Sequence, residues 1–345
     1  MAPLASVTEG LPTSSGAQIE LPTSRVRRFF GNQQAILLIV LLAMIALFST
    51  LNPVFFSLGV AGNVLLDWAP VALIAVAETF VVISGGIDLS VGATLGFSGV
   101  IAAYAMAGMT GSGLPDALVI LLGTLVAAGV GIGVGIVNGL LINLAGLVPF
   151  IATLATLGAA GGMSIVLTGG APIAGGPQSA IALSVPFLGP FSWPVIVVVV
   201  VVVIAGLSLH LGKFGRYTYA IGSNPFAARA AGINVKMQLA KIYGLSGLLA
   251  GLAGMFLYIR LGSGAPTSGA GNELDAIAAV VIGGVALAGG IGRMTGTVLG
   301  SLILATVTSG LIIIGVEPNW KQVVVAILIA SAVSLQAVRG RGSRS

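Results

Sequence analysis

The stretch Ile83-Ser84-Gly85-Gly86-Ile87-Asp88-Leu89-Ser90-Val91-Gly92 lies between two long apolar runs, residues 60–83 and 89–108. A helix needs about 20 apolar residues to cross the ~30 Å hydrocarbon core of a bilayer, and both runs have that length. The glycine pair ends the first run, and the polar residues that follow can begin the next helix. The stretch therefore predicts two membrane spans joined by a short turn.

The composition of the whole chain agrees with a membrane protein. Only 7% of the 345 residues are charged, 57% are apolar, and the mean hydropathy is +1.13. A typical soluble domain carries about 25% charged residues, so this chain has too few to cover a water-soluble globule. The 52 glycines follow no collagen-like period, and glycine is frequent where membrane helices pack closely. We predict an all-α integral membrane protein.

Further apolar runs bring the predicted total to ten spans. The runs 276–290 and 294–315 can also be interpreted as one broken pair, because Ala288-Gly289-Gly290-Ile291-Gly292-Arg293 is a poor helix centre. The candidate spans are 34–51, 60–83, 89–108, 117–143, 149–168, 192–211, 240–261, 276–290, 294–315 and 319–337.

The basic residues predict the topology. Eleven of the fourteen fall in three clusters, in the N-terminal tail, in the loop after the sixth span, and at the C-terminus. Cytoplasmic segments carry the excess of Lys and Arg, so an even number of spans should separate the clusters. With ten spans, six lie between the first and second clusters and four lie between the second and third. Both termini are then predicted to be in the cytoplasm. The clusters are Arg25, Arg27 and Arg28; Lys213, Arg216, Arg229, Lys236 and Lys241; and Arg339, Arg341 and Arg344.

This topology divides the chain into three parts. Residues 1–32 are polar and are predicted to be a disordered cytoplasmic tail rather than a removed signal peptide, because the first apolar run begins near Gln34. Residues 33–338 form the transmembrane domain, with a cytoplasmic loop at 212–240. Residues 339–345 form a basic cytoplasmic tail. The predicted location is the bacterial inner membrane.

Several kinds of chemistry are absent from the sequence. There is no cysteine, and His210 is the single histidine, so a thiolate site, a zinc site or a histidine relay is not expected. No nucleotide-binding P-loop, HExxH motif or catalytic triad appears. We predict a non-catalytic chain without a metal or cofactor of its own. The basic pI fits cytoplasmic loops and does not require a nucleic-acid partner.

Four acidic residues at or near membrane depth need a physical reason, because ionised groups are costly there. Glu78 either faces a polar cavity or is protonated or hydrogen-bonded inside the bundle. Asp88 or Ser90 is expected to cap the helix that follows the glycine pair. Glu273 and Asp275 open the eighth span, where acids suit the helix dipole.

Two spans carry glycines at spacings that favour close helix packing. The fourth span contains Gly129, Gly131, Gly133, Gly135 and Gly139, and the seventh contains Gly247 and Gly251. Without side chains, two helix backbones can approach each other closely. We interpret these glycines as packing contacts rather than as the lining of a pathway.

The loop after the sixth span contains a short predicted helix. Asn224 can cap it, Pro225 suits its first position, and Gly232 can end it. Its small alanines would let it sit deep in a groove of a partner. The helix is interpreted as a docking element for a cytoplasmic protein, and the alternative is a surface helix at the lipid headgroups.

Three stretches of the sequence resemble the permease subunits of ribose-type ATP-binding cassette (ABC) importers. Other members of this branch of importers transport xylose, galactose and inositol. The three stretches are Ile83–Gly92, Val148–Gly158, and Gly215–Ile233 followed by Leu274–Gly284, and the likeness covers about residues 35–337. The first signature position is Ser84, where the family usually has Thr. Together with the acidic residues at membrane depth, these stretches give the candidate signature and pathway residues, which are Glu78, Gly85, Gly86, Asp88, Ser90, Phe150, Thr153 and Asp275.

The resemblance implies the ten-span type II importer fold and a function. Two permease copies, identical or paralogous, would form a monosaccharide pathway along their interface. Two ABC ATPase subunits, which bind ATP and magnesium, would dock below, and a periplasmic sugar-binding protein would dock above. An ion-coupled secondary transporter, with a site at Glu78 or Asp88, is the alternative. The implied coupling helix comprises Asn224, Pro225, Ala227, Ala228, Arg229, Gly232 and Ile233.

Overall fold

The computed structural model describes the backbone of residues 33–317 and 320–342, and this part of the chain is helical, with isolated β-bridges and no strand. A 3-10 turn at Pro53–Phe55 follows the first helix. The helices are α1 (Gln33–Leu51), α2 (Leu58–Ile83), α3 (Val91–Met109), α4 (Asp116–Asn143), α5 (Pro149–Thr168), α6 (Gln178–Ala182), α7 (Trp193–His210), α8 (Lys213–Ser223), α9 (Pro225–Ala230), α10 (Val235–Leu261), α11 (Asn272–Ile282), α12 (Met294–Ile313) and α13 (Trp320–Gly342).

Most predicted spans coincide with these helices. Within the described residues, eight helices are long and apolar enough to cross a membrane: α1 to α5, α7, α10 and α12. The predicted spans that match them differ by a few residues at most ends, and 149–168 matches α5 at both. The total of ten spans and the cytoplasmic placement of the termini stay predictions. Residues 1–32 and 343–345, with Arg25, Arg27, Arg28 and Arg344, lie outside the described part.

The predicted span 276–290 is wrong as a continuous helix. The helix there, α11, has 11 residues, so it is about 16 Å long and cannot cross a bilayer alone. It ends because Gly283 and Gly284 turn the chain, with Gly284 at φ +87°, a conformation that few other residues adopt. The alternative of a broken pair described this region better.

The chain between α10 and α12 nevertheless runs from one end of the bundle to the other. Near the end of α10, Gly264 and Ile173 exchange two backbone hydrogen bonds of 2.9 Å. After α11, the amide of Gly290 donates a 2.8 Å hydrogen bond to the carbonyl oxygen of Ile83, beside α8. The loop at 262–271 and the short α11 therefore together make one passage of the chain across the bundle. We refer to the two ends of the bundle as the α8–α9 end and the opposite end.

Helices α2 and α10 form the centre of the protein, and their neighbours repeat. Helix α10 packs on α3 and α4, and in the same way α2 packs on α11 and α12. Helix α3 also packs on α4 and α5, just as α11 packs on α12 and α13. The two sets of packed helices are α10 with α3, α4 and α5, and α2 with α11, α12 and α13. Helix α2 runs towards the α8–α9 end and α10 runs away from it, so the two sets are oriented in opposite directions.

Helices α4 and α10 pack closely because glycines lie where the two backbones meet. A Cβ on Gly131 would overlap the carbonyl oxygen of Gly247, and one on Gly135 would overlap that of Tyr243. Gly139 faces Ala240, and Gly251 lies against Ala127. Gly129 and Gly133 have open space beside them in this chain. The packing interpretation is confirmed for the glycines that recur every fourth residue on α4 and not for the two between them.

Candidate functional site

The short helix α9 forms where the sequence predicted it. The Oδ1 atom of Asn224 accepts hydrogen bonds from the amides of Phe226 and Ala227, both at 3.0 Å, and Pro225 occupies the first helical position. After the helix, the amide of Ile233 donates to the carbonyl oxygen of Ala228 at 3.1 Å, with Gly232 at φ +84°. These caps define α9 and the turn that follows it.

One face of α9 packs on the protein itself. Ala228 is buried between Ile221 and Val235, so it does not face outwards, contrary to the idea that all the alanines contact a partner. The other predicted coupling residues are exposed, apart from Ile233, which is half-buried. The exposed ones are Asn224, Pro225, Ala227, Arg229 and Gly232.

The most prominent side chain of α9 was not among the residues selected from the sequence. Phe226 is 81% exposed, as high a value as any large apolar side chain reaches in the described residues. Sequence could not select it, because which face of α9 turns outwards depends on the burial of Ala228 against Ile221 and Val235. An exposed aromatic ring on a short surface helix is typical of a contact with a partner protein.

Helix α8 connects α9 to the bundle by close backbone contact. A Cβ on Gly222 would overlap the carbonyl oxygen of Ile83 and would lie 2.6 Å from the amide nitrogen of Gly290. The hydroxyl of Tyr219 donates a 2.7 Å hydrogen bond to the carbonyl oxygen of Gly292. Helix α8 is therefore held against the end of α2 and against the turn that precedes α12.

Helix α8 is also tied to α10. The amide Nε2 of Gln238 donates to the carbonyl oxygen of Phe214 at 3.0 Å and to the hydroxyl of Thr218 at 3.2 Å. The ring of Phe214 lies 5.3 Å from the ring of Phe80 on α2. The side chain of Asn234 caps the start of α10 through the amide of Met237. A displacement of α8 and α9 must therefore act on α2 and α10 together.

A buried polar cluster lies beyond this junction. Asp88 is its centre: Oδ1 accepts from the amide and hydroxyl of Ser90 at 3.0 and 2.6 Å, and Oδ2 accepts from the hydroxyl of Ser246 on α10 at 2.7 Å. Ser90 in turn accepts a 2.9 Å hydrogen bond from Asn138 on α4. The hydroxyl of Thr156 on α5 donates to Asn138 at 2.6 Å.

Glu78 and Tyr243 complete the cluster. The carboxylate Oε1 of Glu78 accepts a 3.1 Å hydrogen bond from the amide of Asp88. Its Oε2 atom and the hydroxyl of Tyr243 are buried without a hydrogen-bond partner among the described residues. The hydroxyl of Tyr243 lies beside Gly86, where a Cβ would be 2.5 Å from it. The cluster joins α2, α3, α4, α5 and α10 at one place.

The structure places the candidate signature residues inside the bundle. Glu78, Asp88, Ser90 and Thr153 are each at most 2% exposed, so they contact other helices here rather than an open channel. Gly85 and Gly86 form the turn after α2, and Phe150 is half exposed on α5. Their assignment to the pathway stays a prediction.

The expectation that Asp88 or Ser90 caps α3 was wrong in detail. Ser90 precedes α3, but its hydroxyl donates to Asp88 and makes no cap hydrogen bond. Asp88 instead accepts from the amide of Ser90, two residues further on, which stabilises the turn rather than the helix end. The reason is that this hydroxyl is used in the polar cluster.

Two ion pairs lie at the opposite end of the bundle. Lys321 Nζ lies 2.7 Å from Oδ2 of Asp275, whose side chain is 7% exposed, and Arg260 Nε lies 3.0 Å from Oδ1 of Asp67. Asp275 and Glu273 are in the first turn of α11 as predicted, yet the partner of Asp275 is a lysine from α13. Among the described residues, no group of three or more His, Asp or Glu could hold a metal ion.

Comparisons with known proteins agree with this architecture. The model of the family described as branched-chain amino acid transport system / permease component matches residues 60–333. The ribose import permease protein RbsC of Bacillus subtilis is 44% identical over 86% of this chain and 90% of its own length. RbsC of Escherichia coli K12 is 38% identical over 86% and 91%, and the galactose/methyl galactoside import permease protein MglC of that strain is 34% identical over 87% and 93%. No solved structure matches the chain.

Proposed function

This chain belongs to the branched-chain amino acid transport system / permease component family, and from that premise we propose that it forms the membrane pathway of an ABC importer for a monosaccharide. It is a multi-pass permease of the bacterial inner membrane. The proposal of a sugar rests on its relatives, which are named as ribose, fructose and galactose import permeases. Their names also favour an importer subunit over an ion-coupled transporter.

The main support for the proposal is that α9 is exposed while α8, which directly precedes it, is held tightly against the helix bundle. Phe226 points away from the protein, while Ala228, Gly222 and Tyr219 hold the segment to the bundle. We propose that α9 and its flanking residues are the coupling helix that inserts into a groove of an ABC ATPase. On this proposal the loop 212–240 would lie in the cytoplasm, and the even numbers of predicted spans on either side of it would put both termini there as well. The sequence has no P-loop, so ATP and magnesium would bind to the ATPase subunit.

Transport would follow from a rigid-body motion. ATP binding closes the ATPase dimer and moves the two docked α9 helices together. Because α8 contacts the end of α2 and Gln238 of α10, both central helices turn with it. The polar cluster then transmits the motion to α3, α4 and α5. Changing a two-state pathway from 1:99 to 99:1 requires about 5.5 kcal/mol of differential binding, which ATP and its dimer interface would supply.

The remaining parts of the proposed importer are a second permease copy and a periplasmic binding protein. The second copy, identical or paralogous, would complete the pathway, and the binding protein would deliver the sugar. The chain itself would not be catalytic. Specificity would then reside mainly outside the membrane, because a pathway that releases its substrate quickly does not need a tight site.

The test is reconstitution of the purified chain into proteoliposomes with its cognate ABC ATPase and binding protein. Uptake of radiolabelled ribose, fructose and galactose is measured with ATP, without ATP, and without the ATPase. We expect uptake of at least one sugar that requires both ATP and the ATPase. Uptake that proceeds without the ATPase and follows an imposed sodium or proton gradient would overturn the proposal.

A further inference from the structure

Arg293 is an exposed cation at the α8–α9 end, and it has no acidic partner among the described residues. In the part of the chain that the structure describes, the ion pairs join Arg260 to Asp67 and Lys321 to Asp275, both at the opposite end. Arg293 directly precedes α12, and its neighbour Met294 donates a backbone hydrogen bond to His210 on α7. A cation in this position is available for a ligand.

Arg293 lines a small polar pocket of about 260 Å³. Gln33 and Gln34, at the start of α1, form one side, and the backbone of the turns at 283–284 and 291–292 forms the other. Arg293 also occupies the N-cap position of α12, and the partial positive charge at a helix N-terminus favours an anion. Among the described residues, no carboxylate lines this pocket.

An apolar groove of about 640 Å³ adjoins the pocket and shares Gln34 with it. It lies between α1, α7 and α12, and it extends along α7 from His210 to Val202, which is about 12 Å of helix. Val203 and Leu207 are more than half exposed in it. On a membrane protein this open groove faces lipid rather than water.

A polar pocket beside an apolar groove has the shape of a phospholipid. The groove accepts an acyl chain, and Arg293 can bind a phosphate through two parallel hydrogen bonds. We propose that this site binds an anionic phospholipid of the cytoplasmic leaflet, with its headgroup at Arg293 and one acyl chain between α1, α7 and α12. This placement rests on the proposed function, which puts the α8–α9 end in the cytoplasm.

Charge selects the anionic lipid over other occupants. Basic pockets between membrane helices on the cytoplasmic side are typical sites for anionic headgroups. The chain's own N-terminal tail is a poor occupant, because Arg25, Arg27 and Arg28 lie only five to eight residues before Gln33 and would repel Arg293. A zwitterionic lipid would add a positive group beside the guanidinium.

The experiment measures retained lipid on the full-length permease by native mass spectrometry, with phosphatidylglycerol and phosphatidylcholine of identical acyl chains as the probes. We expect the wild type to bind phosphatidylglycerol about fivefold more tightly, as one Arg contact near the surface provides. Arg293→Gln should remove this preference. Lys241→Gln, which removes an exposed cation from α10 outside the pocket, should retain it. Val203→Trp, which fills the groove, should weaken retention of both lipids.

Three results would overturn the proposal: no preference in the wild type, equal losses in Arg293→Gln and Lys241→Gln, or binding that occurs only after residues 1–32 are removed. The last would mean that the tail occupies the groove. Because retention is measured without transport, failure of the importer assignment would be seen separately, as ATPase-independent sugar uptake by a permease that still retains the lipid.

Discussion

Gly222 of α8 lies directly against the carbonyl oxygen of Ile83, the last residue of α2. That same oxygen accepts a 2.8 Å hydrogen bond from the amide of Gly290. Three segments that are distant in sequence therefore meet at one backbone atom, with no side chain between them. Any movement of α8 is passed to α2 and to the turn before α12.

Phe226 should be required for ATPase docking and not for folding. Phe226 is 81% exposed, so Phe226→Ala removes little packing inside this chain. We expect an unchanged melting temperature and a loss of ATPase binding of about 2 kcal/mol or more, which is typical of a central aromatic residue in an interface. Binding is measured by co-purification and titration. Met237→Ala is the control, as an exposed apolar residue outside α9; an equal loss in both variants would contradict the assignment.

Ser246→Ala should destabilise the permease by about 1–3 kcal/mol, because it removes a donor from the buried Asp88 carboxylate. Unfolding in detergent or denaturant gives the free energy. Ser112→Ala, at an exposed turn, should change it by less than about 0.5 kcal/mol. If both variants unfold alike, the polar cluster does not hold the helices together.

The ion pair of Lys321 with Asp275 should stabilise the opposite end more than that of Arg260 with Asp67. Asp275 is nearly buried, so Lys321→Met leaves its carboxylate without its ion-pair partner, and we expect a cost of about 2 kcal/mol or more. Adding Asp275→Asn should restore most of it. The more exposed pair should give a coupling energy of about 0–1 kcal/mol. A double-mutant cycle for each pair measures both, and equal coupling energies would contradict the difference in burial.

Neighbouring glycines on α4 should respond differently to alanine. Gly131→Ala places a Cβ in the backbone of α10, so it should lower the melting temperature sharply. Gly129→Ala meets open space and should be neutral or slightly stabilising, since alanine is the better helix former. Thermal unfolding of the two variants decides the matter. Equal destabilisation would show that Gly129 packs on something outside this chain.

The spans were predictable because hydropathy is a one-dimensional signal and the bilayer fixes helix length. Sequence could not reveal that the segment before α12 is half loop and half helix. There, positive-φ glycines and the contact of Gly269 with Gly92 determine the path, and apolar composition alone looks like a span. The same limit applies to Lys321, which is 46 residues from its partner Asp275 in sequence and lies on a different helix.

The candidate site was predictable in its caps and not in its orientation. Asn224, Pro225 and Gly232 have local roles that depend on the adjacent backbone, and the structure has all three as expected. The directions in which Ala228 and Phe226 point depend on how α8 packs against the bundle. That packing is fixed by the contact of Gly222 with Ile83, two residues 139 positions apart in sequence. The polar cluster likewise needs five helices in register.

The most direct measurement of the coupling account is ATP hydrolysis and sugar uptake in the same proteoliposomes, for wild type, Gly222→Ala and the milder Tyr219→Phe. Gly222→Ala separates α8 from Ile83, and Tyr219→Phe removes the hydrogen bond to Gly292. The account predicts that hydrolysis persists while sugar moved per ATP falls, about tenfold or more for Gly222→Ala, which corresponds to about 1.4 kcal/mol of lost coupling, and less for Tyr219→Phe. Unchanged sugar uptake per ATP in both variants would contradict it.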